Sequence, residues 1–192
     1  GIIGIESDGL KFINEGLKEE VNENIDEKTT IDDFSQFAPM AAVYVLNAAG
    51  IKGKNNFKDR TVILGTATLI MAPTVYALKT ITKIERPDGS ANNSFPSGHT
   101  ATAFMGAEFL YQEYKDISIW YGISGYIVAT ATGFFRIYND RHWLTDVAAG
   151  AGIGILSTKI AYWTQPFLTE HLFKEKKNSQ SVLIPFYNGK EY

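Results

Sequence analysis

The chain has 192 residues, 45% hydrophobic and 20% charged, with 18 basic against 21 acidic side chains and a net charge of −3. That balance is ordinary for a globular chain with room for one sizeable core, so a single domain over 1–192 is expected, and it leaves no polybasic field for nucleic acid. Cysteine is absent, which excludes disulfides, thiolate metal ligands and a cysteine nucleophile.

The chain opens Gly1-Ile2-Ile3-Gly4 without methionine, which fits a trimmed precursor or a cloning remnant. A removed signal segment would make the protein periplasmic or otherwise extracytoplasmic, and that is the expected location. Leu10, Ile13, Leu17 and Val21 recur at helical spacing among Lys and Glu, the pattern of an amphipathic surface helix over Asp8–Val21. The polar run Asn22–Asp33 reads as a connection, after which Asp32 or Asp33 caps a second helix reaching Ala49, with Gly50 as its stop. Residues 1–50 are thus expected as N-terminal helices.

A basic loop over Lys52–Lys58 leads into a long helix from Asp59 to the low eighties, with Pro73 as a kink. Asp88–Asn93 is a loop by composition. Further helices are expected over Ser97–Tyr114, Ile117–Phe135 and Asp140–Trp163, the last broken off by Pro166. The tail, 174–192, is polar and then carries the short apolar run Ser181–Tyr187, expected as an extended strap. No strand alternation is sustained elsewhere. The fold class is therefore all-α, a bundle of about five to seven helices with the active site between core helices.

Thr61–Leu78 and Ile117–Phe135 are uncharged and approach the roughly 20 apolar residues of a membrane span. Both are diluted by Thr, Ser, Gly and Tyr, and the mean hydropathy of the chain is low. Buried core helices are the expectation, together with association at a membrane surface.

Three clusters hold most of the reactive side chains. Lys79 and Arg86-Pro87 are separated by about two helical turns, so an ammonium and a guanidinium can share one helix face. Read alone, they are a solvated basic helix end. Pro96-Ser97-Gly98-His99-Thr100 stands ahead of an apolar helix, where free backbone N–H groups make an anion cradle and Ser97 can also serve as a plain cap. Arg136, His142 and Asp146 follow, the last two at i and i+4 on one expected helix, where the carboxylate can accept Nδ1–H and leave Nε2 for a substrate. Taken singly, that pair too could be a helix-stabilising contact.

Together the clusters say more. The order Lys-x6-Arg-Pro, Pro-Ser-Gly-His, Arg-x5-His-x3-Asp resembles the signature of the type 2 phosphatidic acid phosphatase and vanadium haloperoxidase superfamily, over a motif core of 79–146. Two departures stand out: Phe135 occupies the place where the family usually has Ser before the arginine, and the loop Asp88–Phe95 is short for the family.

The resemblance implies that His142 is the nucleophile, Asp146 its orienting carboxylate and His99 the general acid and then base. Lys79, Arg86, Arg136, Ser97 and the Gly98 N–H would bind the phosphate. It implies a metal-independent phosphatase acting on monoesters or diphosphates, with a lipid phosphate as partner, no cofactor, and no metal site. The alternatives are a haloperoxidase, which would hold vanadate in the same pocket, and a non-catalytic helical domain that binds anions or a membrane. The oligomeric state is unassigned.

Overall fold

Among the residues described by the computed structural model, 8–23 and 30–172, every regular element is a helix. In chain order these are α1 (Asp8–Glu23), α2 (Ile31–Ser35), α3 (Ala38–Ala48), α4 (Phe57–Thr82), α5 (Gly98–Tyr114), α6 (Ile119–Tyr138) and α7 (Leu144–Leu172). Side chains start several of them: Asn56 Oδ1 accepts the Asp59 N–H at 2.9 Å, and Ser118 Oγ accepts the Trp120 N–H at 3.4 Å. The α4 helix ends where Lys83 enters the left-handed region at φ 48°.

Local chemistry changes several expected boundaries. The helix expected from Asp32 or Asp33 to Ala49 is two helices, because Pro39 near the start of α3 lacks an N–H and a continuous helix would press its ring on the Ser35 carbonyl. Asp32 is buried inside α2 and caps nothing. The α7 helix begins at Leu144 rather than Asp140, since Asp140 stands at φ 55°, which no right-handed helix passes through. Pro166 does not end α7, which carries on to Leu172. The expected strap Ser181–Tyr187 lies outside the described residues.

The α5 helix is the centre of the bundle, with eleven of its 17 residues buried. Ala101, Met105, Phe109, Leu110 and Tyr114 join Val43 of α3, Ile63, Ala67, Met71 and Val75 of α4, and Ala161 of α7 in the main core. The close approach of α7 to α5 depends on small residues. A Cβ on Gly150 would lie 2.5 Å from the Ser97 carbonyl oxygen, and one on Gly154 would meet the Ala101 carbonyl and the Met105 nitrogen.

The two ends of the bundle are polar. At the α4 N-terminus, Glu113 accepts hydrogen bonds from Asn55 and Tyr162 and pairs with buried Arg60 at 3.6 Å. At the opposite end lie Lys79 and the α5 N-terminus. The rise per residue puts Arg60 and Lys79 about 28 Å apart, close to the thickness of a bilayer core.

Between these ends, α4 and α7 are the helices among the described residues long and apolar enough to cross a membrane. Thr61–Leu78 is not the buried core helix expected of it: only 22% of the most apolar stretch of α4 is buried, and Leu69, Tyr76 and Ile81 are exposed. The α6 segment bears exposed Trp120, Ile127 and Phe134 as well.

The glycine seam gives a direct test. Gly154→Ala should cost about 1–3 kcal/mol through overpacking, which lowers Tm by roughly 2–4 °C per kcal/mol. Gly152→Ala, with nothing within 4 Å of the added carbon, should hold or raise Tm. Equal melting temperatures for the two variants would contradict this packing.

Candidate active site

Three loops bring the candidate residues together at one end of the bundle. After α4, the Arg86 N–H donates to the Ala91 carbonyl at 2.9 Å and Gly89 turns the chain at φ 68°, closing a compact loop. Lys79 and Arg86 do not share a helix face, because α4 has ended at Thr82. They meet instead at Asn93: the Lys79 ammonium donates to its carbonyl, and Arg86 Nε donates to its Oδ1 at 2.9 Å.

The next segment runs into α5. Ser94 Oγ donates to Asp146 Oδ2, and the Ser97 N–H donates to the Asp146 carbonyl at 3.0 Å. Ser97 is buried and caps α5, its hydroxyl oxygen accepting from Thr100 Oγ1 at 2.9 Å and from the Thr100 N–H at 3.4 Å. Gly98 is the first residue of the helix, and His99 follows, partly exposed, with Nε2 3.0 Å from Asp33 Oδ1.

The third loop joins α6 to α7. The Arg136 carbonyl accepts the N–H groups of Arg141 at 3.0 Å and His142 at 3.2 Å, so the chain folds back over the end of α6. His142 therefore precedes α7 rather than lying on it, and the expected helical pairing with Asp146 is instead made by a turn. His142 Nδ1 is 3.4 Å from Asp146 Oδ2, which also accepts the Trp143 N–H at 2.9 Å. Both side chains are almost fully buried. The Arg136 guanidinium donates through Nη1 to Asp32 Oδ2, while Asn139 Nδ2 donates to Asp32 Oδ1 at 3.2 Å.

A polar cavity of about 300 Å³ opens among these groups, lined by Thr30, Asp32, Asp33, Arg86, His99, Arg136, Asn139 and Arg141. Lys79 lines a neighbouring cavity of about 400 Å³ with Tyr76, Lys83, Asn92 and Asn93. Within the described residues, Arg136 Nε and Asp146 Oδ1 are buried without hydrogen-bond partners. A buried guanidinium donor left open is costly unless an acceptor arrives.

Burial pushes His142 down to about 4, against the upward pull of the hydrogen bond and charge of Asp146, with Lys79 and Arg136 adding to the depression. The ring is thus neutral at ordinary pH and keeps a lone pair. Burial, then Arg136 and Arg141, presses Arg86 below its usual value, the mark of cations crowded at one place.

Asp32, Asp33, Ser94, Asn139 and Arg141 belong to this site and were absent from the residues picked out by sequence. Ser94 had a signal in its place just before Pro-Ser-Gly-His. The two aspartates had none, since they reach the site over more than sixty positions of chain, as the His99 to Asp33 separation of 66 shows. Phe135, in place of a family hydroxyl, packs its ring on Phe134 and Tyr138 with centroids 6.0 and 5.9 Å away. His171 is remote, bonded through Nδ1 to the Phe167 carbonyl at 2.8 Å.

Asp32, Asp33 and His99 offer ligand atoms within 4.8 Å of one another, a spacing that suits a cation. Both Asp32 oxygens are already engaged, however, and the Arg136 guanidinium beside them repels a second positive charge. The surrounding Arg86, Arg136 and Arg141 suit an oxyanion better.

The sequence profile of the PAP2 superfamily matches residues 41–170. A lipid A 1-phosphatase of Porphyromonas gingivalis is 38% identical across 85% of this chain. The match covers only 39% of that relative's own length. Among solved structures, Aquifex aeolicus LpxE superposes with a TM-score of 0.58 at 26% identity, over 79% of this chain and 95% of that one. A transmembrane PAP2-type phosphatidylglycerolphosphate phosphatase from Bacillus subtilis shares the fold, with a TM-score of 0.55 at 21% identity over 85% of this chain and 90% of that one.

The electrostatics of the buried histidine can be read directly. In a side-chain NMR titration, His142 should stay neutral down to about pH 5 and titrate near 4, and Asp146→Asn should lower that midpoint further by removing the upward pull. A midpoint above pH 6 would show that burial does not dominate.

Proposed function

The chain belongs to the PAP2 superfamily, and from that premise we propose that it is a membrane-embedded lipid phosphate phosphatase that works without a metal through a phosphohistidine on His142. The observation that carries this reading is the meeting of a neutral, carboxylate-paired His142 with Arg136, whose buried Nε lacks an acceptor. A non-bridging phosphate oxygen is an acceptor of the right charge for that donor.

In the first step, His142 Nε2 forms a bond to phosphorus as the bond from phosphorus to the leaving oxygen breaks, and His99 gives that oxygen a proton. Asp146 holds the Nδ1–H and offsets the charge that develops on the ring. In the second step, water attacks phosphorus, the N–P bond breaks, and His99 takes the proton lost by water. Arg136, Arg86 and Lys79, with the N–H groups at the start of α5 and Ser97, would face the non-bridging oxygens. Fixed cations and donors of this kind supply most of the catalysis in phosphoryl transfer.

A lipid substrate is supported by the relatives and by the position of the site. The exposed apolar surfaces of α4 and α7 suit acyl chains, and the cations stand at the end of α4, where a phosphate headgroup meets water.

The test is hydrolysis of a lipid phosphate in mixed micelles containing EDTA. Wild type should remain active and should yield an acid-labile phosphoenzyme on quenching with labelled substrate. His142→Ala should lose both, and Arg136→Ala should lose about 10²–10³-fold in kcat. An active His142→Ala variant, or wild type silenced by EDTA, would sink the proposal.

A further inference from the structure

Asp33 lies outside the motif core, and none of the steps above uses it. Its Oδ1 stands 3.0 Å from His99 Nε2. The segment that carries it is fastened on several sides: Ser35 Oγ and Thr132 Oγ1 share a hydrogen bond of 2.7 Å, Gln36 Nε2 donates to the Asp33 carbonyl at 2.8 Å, and Asp32 is held by Arg136 and Asn139. The carboxylate is therefore delivered to His99 by an anchored helix rather than by a free loop.

We propose that Asp33 is a positioning residue for His99: its carboxylate accepts a hydrogen bond from the Nε2–H, sets the ring orientation, and leaves Nδ1 to exchange a proton with the substrate. This rests on the reading of His99 as the acid and base of the phosphatase reaction. In each turnover the Nδ1 proton passes to the leaving oxygen as its bond to phosphorus breaks. Water returns a proton to Nδ1 as the new O–P bond forms and the N–P bond to His142 breaks, while the Nε2 proton stays on the ring, hydrogen-bonded to Asp33, throughout.

The charges around His99 explain why it needs such a partner. Arg136 faces it from α6, Asp32 and Asp33 from α2, and Arg86 and Arg141 line the same cavity from the two loops. Burial first, and then Arg136, hold His99 below its ordinary value, while the hydrogen bond it donates to Asp33 and the charges of Asp32 and Asp33 act upward. Without Asp33 the acid would lose its proton at lower pH. The alkaline limb of kcat would then move toward acid, because the protonated ring is the form that donates.

The contrary arrangement is that Asp33 merely fills the place of the leaving oxygen, in which case its removal helps the substrate bind. The experiment compares pH profiles of kcat and KM for Asp33→Asn, Asp33→Glu and His99→Asn in the full chain on the same lipid phosphate. Asp33 is 54% exposed, so its variants should fold. For Asp33→Asn we expect the alkaline limb to fall by at least about half a pH unit and kcat near neutrality to drop roughly tenfold, with KM little changed. Asp33→Glu should restore the limb. An unmoved limb, or a raised kcat with a lowered KM, overturns the proposal. Full activity in His99→Asn would instead remove the underlying role of His99, which separates the two failures.

Discussion

Asp146 is held in the first turn of α7 with almost no exposed surface, and its two functional groups face different segments of the chain. The carboxylate accepts from Ser94 and from the Trp143 N–H and stands beside His142, while its backbone carbonyl accepts from Ser97. The loop after α4, the start of α5 and the turn before α7 are therefore tied to one residue. All three side-chain contacts fall on Oδ2, while Oδ1 is buried without a partner; the cost of burying this charge is offset through that one oxygen, and this enforces the arrangement of all three segments. The position of His142 follows from the same constraint, because the ring is caught between that carboxylate and a chain turned back over Arg136.

The close contact of α5 with α7 is what brings Ser97 within reach of Asp146. Gly150 stands against the Ser97 carbonyl, and a side chain there would force the two helix starts apart. Packing and chemistry are thus one problem in this fold. Small residues set the distance between the helices, and that distance sets the geometry of the site. The polar groups gather at the two ends of long helices whose middles are apolar on the outside, which is the distribution that a lipid environment stabilises.

The N-terminal elements complete the cavity. In α1, Lys18 donates to the Pro87 carbonyl at 2.7 Å and stands 5.7 Å from the centre of the Trp143 ring, so the helix bridges the loop that carries Arg86 and the turn that carries His142. The α2 helix brings acids to the cationic wall. Arg136 is consequently not a bare cation: one of its nitrogens is neutralised by Asp32 while Nε stays open, which fixes the plane of the guanidinium in advance of any ligand. Preorganised donors of this kind do not have to reorient at the moment of reaction.

The all-α class was legible because apolar residues recur at helical spacing over most of the chain, and that periodicity is a local property. The order of Lys79, Arg86, Ser97, His99, Arg136, His142 and Asp146 likewise carried the family resemblance without any structure. Boundaries were less legible: a left-handed Asp140 and a tolerated Pro166 moved both ends of α7, since a backbone conformation depends on contacts that spacing does not contain. The sequence by itself determined the all-α class and the order of residue types that carries the family resemblance. Tertiary structure alone decided that Lys79 and Arg86 meet at Asn93, that a turn sets His142 beside Asp146, and that Asp32 and Asp33 join the site. Those contacts cross loops and long stretches of chain, and their energies arise from burial and charge, which exist only once the helices have packed.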